Sequence, residues 1–261
     1  MSEPILREAL DGSVAVLTMN RPGARNALNG ELADALTEAF RRLGTDPAVR
    51  SVILTGEGKA FCGGADLKVL QGLQTATVSD NLEDAARIKA MFRAVATCPK
   101  PVVAAVNGPA LAGGCGLVSA CDIAIASPEA TFGYPEVRIG FVAAVVLVFL
   151  SRQIGERAAK GLLLSGRAVN AEAAVAMGLA SRVVPTGDLM VEAKREARAL
   201  HRGAPGALAL TKELVWRTSG MSMESAMELA AQVNTFARTG PDMKEGLAAF
   251  LEKRGPTWSE P

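Results

Sequence analysis

Two stretches decide the fold of this chain: Phe61-Cys62-Gly63-Gly64-Ala65-Asp66-Leu67 and Ala110-Leu111-Ala112-Gly113-Gly114-Cys115-Gly116. Each follows a short apolar run that reads as a buried strand, Val52-Ile53-Leu54-Thr55 before the first and Val102 to Val106 before the second. Each leads into a helix. Gly63-Gly64 and Leu67 answer to Gly113-Gly114 and Leu117 at an offset of fifty. So short a match is thin support for a repeat, but it does support a layered fold in which two chain crossings deliver bare backbone to a helix start. There the helix dipole adds about half a positive charge. Two N–H groups aimed at one point would form an oxyanion hole, which stabilises charge developing on a carbonyl oxygen. The same glycines also suit two tight turns with close packing.

The rest of the composition narrows the choices. The chain has 261 residues, 49% of them hydrophobic and 21% charged, which suits a folded core and excludes disorder. Lys and Arg number 28 against 27 Asp and Glu, so no field gathers nucleic acid or anionic lipid. A single histidine, His201, removes most Ser-His and Cys-His nucleophile schemes and any multi-histidine metal site. Its place in Ala199-Leu200-His201-Arg202-Gly203 suggests a structural role at a helix end. Cys62, Cys98, Cys115 and Cys121 lack zinc spacing and fit free thiols in a reducing, cytoplasmic setting. The start, Met1-Ser2-Glu3-Pro4, does not resemble a secretory signal. The uncharged run Pro101 to Cys121 is broken by Asn107, Gly108 and Pro109 and cannot form one spanning helix, and Ile139 to Ser151 is too short. Both read as buried segments of a soluble fold.

A dinucleotide site is a weaker reading of the second loop. Gly114-Cys115-Gly116-Leu117-Val118-Ser119 approaches G-x-G-x-x-G, with Glu136 twenty residues after Gly116. The acidic residue should end the next strand, however, and Glu136 lies well past Ile123 to Ser127, behind Pro128 and Pro135.

Outward from the loops, Asp11-Gly12 predicts a hairpin between a strand from Ile5 and a strand over Val14 to Met19. Asn29 caps a helix whose apolar face is Leu32, Ala35, Leu36, Ala39, Phe40 and Leu43, and Gly44 is expected to stop it, with Pro47 beyond. Further strands are expected at Ile123 to Ala126 and Val183-Val184-Pro185. Helices follow near 188–202, 205–218, 222–238 and 241–253. The pattern is α/β with a helical tail, a core over 1–187 and a helical region over 188–261.

With these segments assembled, the chain resembles the enoyl-CoA hydratase/isomerase family, the crotonase superfamily, through nearly its whole length. The resemblance is carried by Asn20-Arg21-Pro22, Asn26-Ala27-Leu28-Asn29, Ala60 to Leu67, Ala105-Val106-Asn107-Gly108 through Gly113-Gly114-Cys115, Cys121-Asp122-Ile123, Phe132-Gly133-Tyr134-Pro135-Glu136, Gly178-Leu179-Ala180 and Phe250-Leu251-Glu252-Lys253-Arg254. It implies a crotonase-like spiral of ββα units, a C-terminal helical trimerisation region, a homotrimer or dimer of trimers, and an acyl-CoA thioester as ligand. Coenzyme A would arrive as part of the substrate, with no other cofactor and no metal. By the same resemblance Ala65 and Gly113 are the oxyanion donors, Arg25 reaches the CoA phosphates, and backbone at Gly63, Asp66 and Leu67 meets adenine and pantetheine. Phe250 and Lys253 match C-terminal residues that contact CoA, often from a neighbouring subunit.

Glu136 matches one of the two glutamates used by hydratases and is the expected acid/base; the other should follow Gly-Gly-Cys, where this chain has Gly116. Hydration usually divides its proton transfers between paired carboxylates, whereas moving a double bond needs one base. The resemblance thus implies an enoyl-CoA hydratase or isomerase of fatty-acid or branched acyl-CoA breakdown, with a single-glutamate isomerase or a noncatalytic acyl-CoA binder as alternatives. Phe141-Val142-Ala143-Ala144-Val145-Val146 replaces an expected Pro-Gly and glycine-rich stretch, so a bulky, dry wall should raise the Glu136 pKa. A carboxylate placed at 116 should favour hydration, unless the apolar wall from Phe141 to Val146 leaves no space for it or for the water, in which case acyl-CoA binding should weaken. Asp80, Glu83 and Asp84 are candidate acids by proximity in sequence, though solvated helix faces suit them better. On the C-terminal helix over 222–238, Met223, Met227, Ala230, Val233 and Phe236 form an apolar stripe suited to assembly.

Overall fold

The chain opens with the hairpin that Asp11-Gly12 announces, β1 (Leu6–Asp11) running antiparallel to β2 (Val14–Met19) with Leu6 opposite Met19. The computed structural model describes residues 3–258. β2 then pairs in parallel with β3 (Ser51–Gly56), which starts the run β3, β4 (Val102–Val106), β6 (Ile123–Ala126) and β9 (Arg182–Val183). Parallel strands need crossovers on the sheet faces and are buried on both sides. β3 and β4 are accordingly buried along their whole length.

One face is covered by α1 (Gly30–Thr45), α3 (Val78–Ala96) and α4 (Gly113–Ala120). Asn29 caps α1 as expected, its side-chain oxygen accepting the Leu32 N–H at 3.0 Å. Gly44 does not stop the helix, which runs to Thr45. The glycine is there for contact, since a β-carbon on it would stand 3.0 Å from Pro99 Cδ. The other face is sealed by α7 (Leu189–Leu200), through Leu189, Ala193 and Ala197 against Val14, Ile53, Val103, Ala105 and Ile125. At the end of α7 the one histidine is a structural pin. His201 is buried, with Nε2 at 2.9 Å from Ser51 Oγ and Nδ1 at 3.4 Å from Ser13 Oγ, tying the helix to the starts of β2 and β3.

The sequence did not foretell a second sheet, β5 (Ala110–Leu111), β7 (Thr131–Gly133) and β8 (Ala168–Asn170), nor the short helix α6 (Ala171–Met177). α2 (Leu67–Leu73) is short, and α5 (Ala144–Ser165) carries a break at Gly155. The last three helices, α8 (Pro205–Thr218), α9 (Met223–Thr239) and α10 (Pro241–Leu251), stand off this body: Ala249 is their one buried residue. α8 is held by Lys212, whose Nζ donates to Asp122 Oδ2 at 2.5 Å and to the Lys100 carbonyl at 2.8 Å. No helix among the described residues is long and apolar enough to cross a membrane.

Candidate active site

The two glycine loops meet. Cys62 forms an isolated parallel bridge to Ala110, and Leu28 forms another to Ala65. Their contact leaves no room for β-carbons: one on Gly64 (φ +94°) would stand 2.6 Å from Ala112 Cβ, and one on Gly114 would stand 2.1 Å from the Cys62 carbonyl oxygen. Leu28 joins the two sides. Its N–H donates to the Gly64 carbonyl at 2.7 Å, and its carbonyl accepts the Asp66 N–H at 2.8 Å. Parallel pairing of that kind uses the groups flanking Ala65 and turns the N–H of Ala65 itself away from Leu28. The side chain of Leu28 lies over Gly113, with Cδ1 2.8 Å from where a Gly113 β-carbon would be.

Gly113 opens α4, whose first recorded backbone bond is Gly116 N–H to the Ala112 carbonyl at 3.0 Å. The N–H groups ahead of it have no acceptor within the helix and carry the positive end of its dipole. Ala112, just before, holds φ 51° and ψ −124°, a conformation that costs a residue with a β-carbon about 1–3 kcal/mol. Such strain at a helix start aimed at a site is a common mark of function.

Beside the first glycine loop, Arg25 sits at φ 51°, exposed, its carbonyl accepting the Gly63 N–H at 2.8 Å. Beside it Asn26 is fully buried, and its amide donates to the Glu57 and Ala60 carbonyls at 3.0 and 2.8 Å, which fixes the loop. Asp66 caps α2 through the Lys68 N–H and pairs with Arg21 at 2.9 Å, and that guanidinium holds its carboxyl below the usual range. Arg21 was in the quoted sequence pattern without a role; its role is to hold Asp66. Leu67 is exposed.

Glu136 lies in a 3-10 turn, Pro135–Ile139, which continues β7. The residue is 8% exposed, and among the described residues its Oε2 is buried with no hydrogen-bond partner. Burial pushes its pKa upward, its own backbone N–H offsetting part of the effect. Its charge also falls on Cys115, next to Gly116. Behind it Tyr134 is fully buried, its hydroxyl 3.2 Å from Ser119 Oγ. The thiols of Cys62 and Cys115 are pushed up by burial to about 12, which rules them out as nucleophiles at neutral pH.

The wall beside Glu136 differs from the expectation. Ile139 to Ser151 is not a buried segment, since Ile139, Phe141 and Val142 are 64%, 49% and 67% exposed. The residue that turns inward is Val146, on the first turn of α5, because the intervening loop spends Phe141 and Val142 outside. A β-carbon on Gly116 would stand 2.2 Å from Val146 Cγ1, 2.9 Å from Val146 Cβ and 3.1 Å from Phe92 Cε1. A carboxylate at 116 therefore has no space while Val146 keeps its place, the obstacle that the apolar wall from Phe141 to Val146 raised in the sequence. Val146 is one residue of the apolar wall read from the sequence, whereas Phe92 was not singled out, because its importance comes from contacts between distant segments. Asp80 closes a capping box with Thr77, and Glu83 pairs with Arg87 at the surface of α3. Phe250 and Lys253 lie at the end of α10, which packs on α8 and α9, and Phe250 is 80% exposed.

The structure thus brings together two glycine loops, a helix start and one buried carboxylate. The family model for enoyl-CoA hydratase/isomerase matches residues 9–261. A protein of Thermus thermophilus called a putative enoyl-CoA hydratase is 49% identical over 94% of this chain and 97% of its own length. The short-chain-enoyl-CoA hydratase of Clostridium acetobutylicum is 35% identical over 94% and 93%. The crystal structure of an enoyl-CoA hydratase from Mycobacterium smegmatis superimposes with a TM-score of 0.92 at 37% identity, covering 99% of this chain and all of that one. The chain belongs to the enoyl-CoA hydratase/isomerase family and has the crotonase fold.

Proposed function

We propose that this protein transforms enoyl-CoA thioesters, with the Ala65 and Gly113 N–H groups holding the thioester oxygen and Glu136 moving the proton. The observation that carries the reading is Glu136 itself, a buried carboxylate with an unpartnered oxygen beside the glycine start of α4. Charge that develops on the thioester oxygen would meet N–H groups already oriented, which typically lowers the barrier by several kcal/mol. In hydration, a water oxygen bonds to C3, its proton passes to Glu136, and a proton from Glu136 bonds to C2. The names of the relatives in Thermus and Clostridium favour this reaction.

One observation favours a second reading, positional isomerisation. Val146 fills the space over Gly116, leaving Glu136 without a second acid there. In that reaction Glu136 takes a proton from C2 of a 3-enoyl thioester, the double bond moves toward the carbonyl, and the same proton bonds to C4. One carboxylate is sufficient.

In this reading Arg25 meets the CoA phosphates while Gly63, Asp66 and Leu67 line the adenine and pantetheine path. Phe250 and Lys253 would reach the CoA of a neighbouring copy in a homotrimer or dimer of trimers. The nearly unburied helices α8 to α10 support such an assembly. CoA is part of the substrate and no separate cofactor is required, and the place of action would be cytoplasmic breakdown of fatty or branched acyl groups. Turnover of a panel of 2-enoyl and 3-enoyl thioesters tests the reading. Binding of acyl-CoA with no turnover of either class would instead define a noncatalytic binder.

A further inference from the structure

We propose that Val146 sets the balance between adding water and moving a proton in this site, by keeping dry the space over Gly116. Gly113 and Gly116 share one face of α4, three residues apart. The Phe92 ring reaches over both: its Cζ lies 3.9 Å from a Gly113 β-carbon position and its Cε1 lies 3.1 Å from that of Gly116. Val146 closes the same face from α5, which follows the turn bearing Glu136, and is 5% exposed. Two hydrocarbon side chains thus cover the glycine face of α4, and the charge of Glu136 reaches Cys115 between those glycines.

A water ordered there would need two to four polar partners. Glu136 Oε2 offers one acceptor, and Val146 and Phe92 offer none. Hydration needs that water, because its oxygen forms the C3 bond while one of its protons goes to Glu136. The proton shift needs no water, since the proton leaving C2 is the one returned at C4. The hydrocarbon at 146 thus disfavours one reaction and leaves the other untouched. This inference rests on the assignment of Glu136 to enoyl thioesters.

The test compares the native protein with Val146→Ser, which removes both methyls and adds a hydroxyl, and with Val146→Thr, which exchanges one methyl for a hydroxyl and keeps the volume. Each is given trans-2-butenoyl-CoA and 3-hexenoyl-CoA, and hydrated and isomerised products are separated by chromatography. The expected result is a rise of about tenfold or more in the hydration-to-isomerisation ratio for Val146→Ser, and a smaller rise for Val146→Thr. Should Val146→Ser fail to fold, the Val146→Thr ratio decides. An unchanged ratio in folded variants that still turn over both thioesters overturns the role of Val146 alone. Absence of both products with native protein overturns the assignment of Glu136, and the inference with it.

Discussion

Replacing Gly116 with alanine isolates the contact that most distinguishes this site. The new β-carbon would lie 2.2 Å from Val146 Cγ1, and a turn about χ1 of the valine does not relieve the 2.9 Å approach to its Cβ. Valine in a helix also has one strongly preferred rotamer, so α5 itself has to shift. Overpacking of this kind costs about 1–3 kcal/mol, while alanine gains about 1 kcal/mol over glycine within a helix. The net is a loss of up to about 2 kcal/mol, or up to about 6 °C in Tm for a chain of this size. Val146→Ala alone loses about 1.6 kcal/mol for two methyl groups, plus a cavity term. In the double variant the alanine methyl at 116 enters the volume that Cγ1 has left, so the two losses should fall short of their sum by about 1 kcal/mol or more. Urea unfolding of the four proteins at one protomer concentration measures this coupling. Additivity within about 0.5 kcal/mol would show that Val146 and Gly116 do not touch, and the account of a filled second acid position would fall with it.

Glu136→Gln should retain acyl-CoA binding and lose about a hundredfold or more in turnover, read by steady-state kinetics. Because burial raises its folded pKa, native activity should decline on acidification at a pH above the ordinary glutamate range. Stability carries the opposite sign: ionised Glu136 costs folding free energy above its folded pKa, so the glutamine variant should gain Tm at pH 8 and lose that advantage as pH falls to the unfolded value. Gly113→Val would drive a side chain into Leu28 Cδ1 and should raise the chemical barrier by about 2–4 kcal/mol; normal kcat in that variant would remove Gly113 from the oxyanion hole. Met223, Met227 and Phe236 are 78%, 63% and 68% exposed on α9, so light scattering should report a trimer or hexamer, and a mass near 27 kDa would refute assembly through this layer.

The larger part of the architecture was legible because it is written in short-range chemistry. Asp11-Gly12 announced the first hairpin, Asn29 capped α1, and the apolar runs before each glycine loop became the buried parallel strands β3 and β4. The strands that went unread, β5, β7 and β8, are two or three residues long, too short for period-two alternation to register. Gly44 shows a different limit. A glycine near a helix end reads as a stop, yet this one lies in tight contact with Pro99 from a distant segment, and sequence spacing does not distinguish the two.

The same limit governs the site. Glycines at 64 and 114 are legible because close approach of the two loops leaves few other residues possible, and Glu136 is legible beyond them. The meaning of Gly116 was half visible. Its lack of a carboxylate could be read, but not what replaced it, since Val146 lies thirty residues on in a stretch whose hydrophobicity pointed equally to Phe141 and Val142. Periodicity cannot choose among neighbouring apolar residues when a loop of unknown path precedes the helix. The structure chooses, turning Val146 inward and leaving Phe141 and Val142 half or more exposed. Gly116 and Val146 are therefore one feature: the glycine admits the valine, and the valine forbids any other residue at 116 while α5 stays where it is. A route to a second acid in this site has to change both positions together, because the valine occupies the place that an acid at 116 would need.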